Sequence, residues 1–123
     1  MDIDSLLNSV PTPTEAEMAE RRKLARRYTL VFLRECPATS GDESFKQRVH
    51  LEHLQHLTKL QLLGKLVLND PTRIEHDIHD VGMYEAEPEE AKALTEADPK
   101  VQAGFLTVEV IPWIAVPGES YSG

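Results

Sequence analysis

Apolar positions along the chain form two kinds of pattern, short runs and one longer helical repeat. Short apolar runs bounded by turn residues predict β-strands. Four segments fit this description: YTLVFL (28–33), KLVLND (65–70), HDVGMYEAE (79–87) and FLTVEVIPW (105–113). The helical repeat predicts a long helix that begins at Asp42 or Ser44 and ends near Leu63, with Gly64 after it. Residues 88–97 predict a second helix, with proline at its first position.

The predicted order of these elements is β-α-β-β-α-β. This order is typical of an α+β, ferredoxin-like fold, in which two helices pack on one face of a four-stranded antiparallel sheet. We expect three parts: an arm with an extra short helix (1–27), the main domain (28–114) and a C-terminal tail (115–123). Pro11 and Pro13 predict that residues 1–13 are irregular. The short helix is expected to begin at Thr14, with Glu17 at the spacing of a capping box.

The first and last strands are apolar on both faces, although two helices can cover only one face. Residues 30–33 and 105–113 would leave a larger apolar patch than monomers usually expose. A second copy packed sheet against sheet would cover this patch. The sequence therefore predicts a homodimer, a dimeric α/β-barrel.

Charge and composition argue against several partner classes. The 123-residue chain has 13 Lys and Arg against 21 Asp and Glu, for a formal net charge of -8. This sign disfavours binding to nucleic acid or to an anionic membrane surface. No apolar run is long enough to cross a bilayer or to act as a signal sequence, so we expect no membrane association and a cytoplasmic location. The single Cys36 excludes an intrachain disulfide and fits a reducing compartment.

The stretch HLEHLQHL (50–57) places a histidine at every third residue of a leucine-rich helix. On a helical wheel, His53 falls in the middle of the apolar face formed by Val49, Leu57 and Leu60, while His50 and His56 lie on its two borders. A buried histidine bonded to a carbonyl is one interpretation. The other is a proton-transfer group, since the pKa of histidine lies near neutrality.

Metal binding is a further alternative, because five histidines fall between positions 50 and 79. A metal site would use His50, His53 and either His79 or Asp77. No two of the histidines have the i, i+4 spacing of a helical zinc pair. We therefore predict no metal ligands.

The segments HLQHLTKLQLLGKLVLNDP (53–71) and VGMYEAEPEEAKALTEADPKVQAGFLTVEVIPW (81–113) resemble the YCII-related family. The shared features are a histidine that opens a leucine-rich helix, a Gly-basic-Leu start to the second strand, a glycine in the third, an Asp-Pro, an Ala-Gly and a closing Trp. This resemblance extends over roughly residues 28–113, with an insertion after Pro71. It implies a dimeric α/β-barrel of two ferredoxin-like protomers.

The resemblance also implies a catalytic His-Asp pair, which falls on His53 and Asp98. Asp98 precedes a Pro-led helical turn closed by Gly104, and it can cap that turn while it orients an imidazole. The implied chemistry is a lyase or isomerase reaction on a small molecule, in which neutral His53 removes a proton. No cofactor is expected, since the chain has no Gly-rich phosphate loop and no redox cysteine pair.

The substrate-binding residues expected around this pair are His50, Asp70, Tyr28 and Trp113. Asp70 stands where the family usually has glycine before proline, so its side chain fills space that a glycine would leave open. Two alternatives share the scaffold: a dimer that binds a small ligand without catalysis, and a metal-binding dimer.

Overall fold

The computed structural model describes residues 2–36, 41–71 and 78–118. Its strands are β1 (Arg26–Glu35), β2 (Leu66–Pro71), β3 (Ile78–Tyr84) and β4 (Leu106–Ala115). Its helices are α1 (Ile3–Asn8), α2 (Glu15–Arg22), α3 (Glu43–Leu62), α4 (Pro88–Glu96) and α5 (Pro99–Gln102). The predicted α+β class is confirmed.

The four strands form one antiparallel sheet in the order β2-β3-β1-β4. Strand β3 pairs antiparallel with both β1 and β2. This order is compatible with a ferredoxin-like fold, because the two strands joined through α3 are separated in the sheet by β3.

Both ends of α3 lie where the sequence predicts them. Asp42 caps the helix, since its side chain accepts the N–H of Phe45 at 2.9 Å. Gly64 follows the last turn with a φ of 77°, a left-handed conformation that favours glycine. Strand β2 then runs one residue further than predicted and includes Pro71, which is compatible with a position at the sheet edge.

The helical face predicted for α3 is confirmed. Its buried residues are Val49, His53, Leu57 and Leu60. Two of the leucines pack into a core cluster with residues from all four strands and from α4. That cluster comprises Val31, Leu33, Leu57, Leu60, Leu66, Tyr84, Ala91 and Leu106.

Strand β3 is irregular at His79. Across the β1–β3 pair, Leu33 lies opposite Asp80 and Arg34 lies opposite Ile78, so His79 is an extra residue without a partner on β1. Such a β-bulge changes the direction of side chains that would otherwise alternate between the two faces. The bulge therefore affects where His79 and Asp80 point.

The chain divides into two compact units. One comprises Arg27–Ile114, and the other comprises the described residues before and after that range. In the second unit, helix α1 spans Ile3–Asn8 where the sequence predicted irregular chain; Pro11 and Pro13 follow this helix and so do not prevent it. Thr14 and Glu17 form the reciprocal hydrogen bonds of a capping box at the start of α2. Within the described parts of the chain, no helix combines the length and apolar character needed to cross a membrane.

Candidate functional site

His53 is the centre of a buried charged cluster. Its side chain is 1% exposed, and both of its ring nitrogens face carboxylates that are buried as well. Nδ1 lies 2.5 Å from Oδ2 of Asp98, and Nε2 lies 3.0 Å from Oδ2 of Asp80. Because an ionised carboxylate only accepts, the ring donates to both carboxylates at once only as an imidazolium.

Three elements bring these groups together. His53 projects from the inner face of α3, and Asp80 lies on β3. Asp98 immediately precedes α5 and caps it, because its Oδ1 accepts the backbone N–H of Lys100 at 2.8 Å. Its other oxygen is the one that meets His53. One carboxylate thus caps a helix and orients an imidazole, as the sequence suggested.

The pKa values of the cluster follow from this geometry. Burial opposes the charged form of His53, but its hydrogen bonds to Asp80 and Asp98 outweigh burial and raise the pKa from 6.5 to about 9. Burial likewise opposes ionisation of Asp80, yet the hydrogen bond from His53 and the nearby ring of His79 hold its pKa well below the usual 3.8. The role of a neutral general base, predicted for His53, does not fit, because the ring is charged at neutral pH and both nitrogens are occupied.

His79 extends the cluster outward. Its Nδ1 lies 3.1 Å from the same Oδ2 of Asp80 that accepts from His53. The contact is close enough for an ion pair, but it is not a hydrogen bond. Asp80 therefore stands between two imidazoles, the enclosed ring of His53 and the partly exposed ring of His79.

The ammonium group of Lys100 lies beside the outer imidazoles. Its Nζ is 3.1 Å from Nδ1 of His50 and 3.4 Å from Nε2 of His79. An ammonium only donates, so these two ring nitrogens are unprotonated, and His79 carries its proton on Nδ1, toward Asp80. Burial lowers the pKa of Lys100 below the ordinary 10.5. Burial also lowers the pKa of His50, and the charge of Lys100 adds to this effect.

These outer groups line a cavity of about 570 Å³ between α3, α5 and the sheet. Its wall is mainly apolar, and its polar groups include two lysines, two histidines, two glutamates and a cysteine. The lining residues are Glu35, Cys36, Glu43, Lys46, Gln47, His50, Leu51, Leu54, His79, Lys100, Phe105 and Leu106. His53 is absent from this lining and stands behind His79 and His50, with ring centroids 5.9 and 6.0 Å away.

The structure brings together some of the predicted site residues and not others. His53 meets Asp98, and His50 lines the cavity. Tyr28 and Trp113 pack against each other, with ring centroids 6.1 Å apart, and neither lines the cavity. Both alternate with core residues along their strands and so belong to the opposite face of the sheet. Asp70 is exposed on edge strand β2, also away from the cavity.

Sequence reasoning missed Asp80 and Lys100, and it considered His79 only as a metal ligand. A signal was present in the segment HDV, where a histidine and an aspartate are adjacent at the start of a strand. Regular alternation would place those two side chains on opposite faces, so their adjacency in sequence does not by itself indicate a shared site. Lys100 directly follows Asp98-Pro99, in the turn that Asp98 caps, and its proximity to Asp98 follows from that cap.

His53, His79 and Asp80 could also hold a metal ion. Each offers one ligand atom, and the three atoms lie within 4.8 Å of one another. The alternative metal set predicted from the sequence included His50. In the structure, the ammonium group of Lys100 contacts the ring nitrogens of both His50 and His79. Asp77, the other residue of that set, lies outside the described residues.

Comparisons with known proteins give no family for the chain. No protein-family model matches the sequence, and no curated protein matches it either. The site is therefore interpreted from its own geometry.

Proposed function

We propose that this protein is a cofactor-free enzyme that catalyses proton transfer on a small molecule, as a lyase or isomerase, and that His79 and Asp80 are its working pair. The observation that carries the proposal is the position of Asp80 between two imidazoles. One imidazole is sealed in the protein, and the other lines a cavity large enough for a small ligand. His53 and Asp98 stabilise this pair from behind.

In the proposed mechanism, Nε2 of His79 removes a proton from a carbon or hydroxyl of the substrate. Nδ1 of His79 lies 3.1 Å from Oδ2 of Asp80, within ion-pair distance, so the imidazolium that forms is stabilised by a carboxylate, as in other His-carboxylate pairs. His53 keeps Asp80 ionised, because its own charge is fixed by two carboxylates. General-base catalysis of this kind contributes about 10²–10⁴-fold to the rate.

Lys100 supports the same reaction from the other side of His79. Its contact with Nε2 of His79 is long, at 3.4 Å, so a substrate hydrogen can replace it. The displaced ammonium then lies beside the atom that loses the proton, where it stabilises an enolate or phenolate oxygen as negative charge develops. Leu51, Leu54 and Phe105 give the cavity an apolar wall that suits a cyclic or aromatic substrate body.

The proposal is tested by solvent deuterium exchange into a panel of small cyclic ketones and phenols, followed by NMR. We expect the wild-type protein to speed exchange at a carbon beside the carbonyl or hydroxyl. His79→Gln should lose about 10²-fold or more of that rate. His56→Gln is the matched control, since His56 bonds the carbonyl of Leu94 and does not line the cavity. Equal rates for His79→Gln and the wild type would remove His79 from its role.

A divalent metal site is the second candidate, and the close approach of the three ligand atoms of His53, His79 and Asp80 favours it. Metal binding requires His53 to lose its proton, and its pKa of about 9 lies about two units above neutral pH. Each unit weakens apparent metal affinity about tenfold, so binding should strengthen about 100-fold between pH 7 and pH 9. Titration with Co²⁺ across this range, followed by absorbance, tests the site. Absence of binding at pH 9 excludes it.

We propose, further, that the chain is a YCII-related protein and a homodimer, with the second copy on the sheet face away from the helices. The contact of His53 with Asp98 and the strand order support the family assignment. Apolar side chains on the outer face support the dimer, since Leu68, Ile111 and Trp113 are 58, 40 and 41% exposed. Light scattering should give the mass of two chains for the wild type and of one chain for Ile111→Lys. A monomeric wild type would contradict the dimer.

A further inference from the structure

Lys100 is held differently from the paired lysines elsewhere in the described chain. Lys23 and Lys65 each form an ion pair of 2.7 Å with a glutamate. Across the described residues, no carboxylate oxygen comes within the 4.0 Å of an ion pair to Nζ of Lys100. Its neighbours are the acceptor nitrogens of His50 and His79 instead. An ammonium group that is partly removed from water and lacks a direct counter-ion loses stability relative to the neutral amine.

From this arrangement we infer that Lys100 is a nucleophilic amine, which captures an aldehyde or ketone of modest size as a Schiff base. The amine lines the cavity, where a carbonyl compound can reach it, and two imidazoles lie within 3.4 Å of it to carry protons. The inference shares the cavity with the proposed function, but it does not require His79 to remove a proton from carbon.

The covalent step balances without an oxidant or a further reactant. Neutral Nζ attacks the carbonyl carbon, and the π electrons of C=O move to the oxygen. One imidazole, Nδ1 of His50 or Nε2 of His79, takes a proton from the nitrogen and delivers it to the oxygen, which gives a neutral carbinolamine. The same imidazole then takes the remaining N–H proton and delivers it to the hydroxyl, which leaves as water while the C=N bond forms. The net change is amine plus carbonyl to imine plus water.

The lowered pKa of Lys100 agrees with this role. Burial reduces it below 10.5, although Asp80, Asp98 and Glu35 act in the opposite direction from further away. At a pH below the pKa of every lysine, each unit of decrease raises the neutral fraction of an amine about tenfold. Lys100 should therefore react faster than a solvent-exposed lysine at the same pH.

The experiment is reductive trapping with cyclohexanone and sodium cyanoborohydride near neutral pH, with each lysine quantified by peptide mass spectrometry. A ketone reacts slowly with ordinary lysines, so selectivity is visible. Lys46 is the internal control, because it lines the same cavity. We expect labelling of Lys100 to exceed that of Lys46 and Lys23, because Lys100 has two imidazoles beside it to carry protons. Because all sites are compared within the wild-type protein, no variant needs to fold.

A pair of variants decides between nucleophile and structural bridge. His50→Gln should slow the labelling of Lys100, because it removes one of the two imidazoles that carry protons, whereas His56→Gln, at a residue outside the cavity lining, should leave it unchanged. Labelling of Lys100 at the rate of Lys46, or equal rates in the two variants, would overturn the inference. A failure to trap the ketone on Lys100 would overturn this inference without affecting the deuterium exchange assigned to His79. A failure to see that exchange would overturn the proposed function without affecting the trapping, so the two failures are distinguishable.

Discussion

Raising the pH should destabilise the fold through His53. The raised pKa means that the folded protein holds the His53 proton between pH 6.5 and about 9, whereas the unfolded chain releases it. The folded state therefore binds more protons in this range, and the free energy of unfolding falls as the pH rises. Below pH 6.5 the full contribution of the imidazolium is present, and above about 9 it is lost.

The size of the effect follows from the shift. The interval from 6.5 to about 9 corresponds to about 3 kcal/mol, at about 1.4 kcal/mol for each pKa unit. Little discount for solvent screening is needed, since the His53 side chain is 1% exposed. Small domains unfold with about 5–15 kcal/mol, so the loss is a large share of the total.

Urea unfolding between pH 6 and pH 10 measures this dependence, and NMR titration of the histidine ring protons assigns it. The His53 ring should titrate near 9, and His50 should titrate below 6.5. His56→Gln should keep the full loss of stability with pH. His53→Gln should be less stable at pH 6, because two buried carboxylates lose their cation, and it should show little further loss toward pH 10.

Two results would refute this reasoning. One is a wild-type free energy of unfolding that stays constant within about 1 kcal/mol from pH 6 to pH 10. The other is a His53 ring that titrates at or below 6.5, which would mean that the two carboxylates do not share a proton-bearing ring.

Three further changes test other parts of the structure. Asp98→Asn keeps a capping side chain but removes the negative charge next to His53. The pKa of His53 should therefore fall in an NMR titration. The free energy of unfolding in urea at pH 6 should fall by about 3 kcal/mol. The buried hydroxyl of Tyr84 lies 2.8 Å from Oγ1 of Thr95, and Thr95→Val removes that partner. The free energy of unfolding should fall by about 1–3 kcal/mol in the same assay. An unchanged free energy would mean that the hydroxyl finds another partner. Gly64→Ala meets no atom within 4 Å but has a φ of 77°, so strain alone should lower stability by about 1 kcal/mol in thermal unfolding.

The fold was predictable because its signals are local and repeated. The α3 face followed from the 3.6-residue period, and the buried set Val49, His53, Leu57 and Leu60 matches it. The ends of α3 followed from Asp42 and Gly64, which act through their own backbone geometry. The short helix α1 is not predicted, because Pro11 and Pro13 indicate an irregular chain over residues 1–13, whereas both prolines lie after the end of the helix.

The candidate site was predictable in part, for a different reason. His53 faces inward because of its position in helix α3, which the sequence shows. Asp98 lies beside His53 because it caps the turn that begins α5, and that turn is also visible in the sequence. The charge state of His53 depends on a second carboxylate, Asp80, which is 27 residues away in sequence. Nothing in the helix itself records that partner, so the sequence led to a neutral base where the structure has an imidazolium.

One extra residue in β3 accounts for the rest of the site. In a regular strand His79 and Asp80 would point to opposite faces, and only Asp80 would meet His53. The bulge leaves His79 without a partner on β1, and its ring comes within 3.1 Å of Asp80 and 3.4 Å of Lys100. The adjacent residues His79 and Asp80 thus lie on the same side of the sheet, where Asp80 is enclosed and His79 lines the cavity. The register of a strand is set by its pairing with neighbouring strands. The alternation of residues within one strand therefore does not show where that register shifts by a residue. For this protein, the bulge is what joins a buried ion cluster to a surface where chemistry can occur.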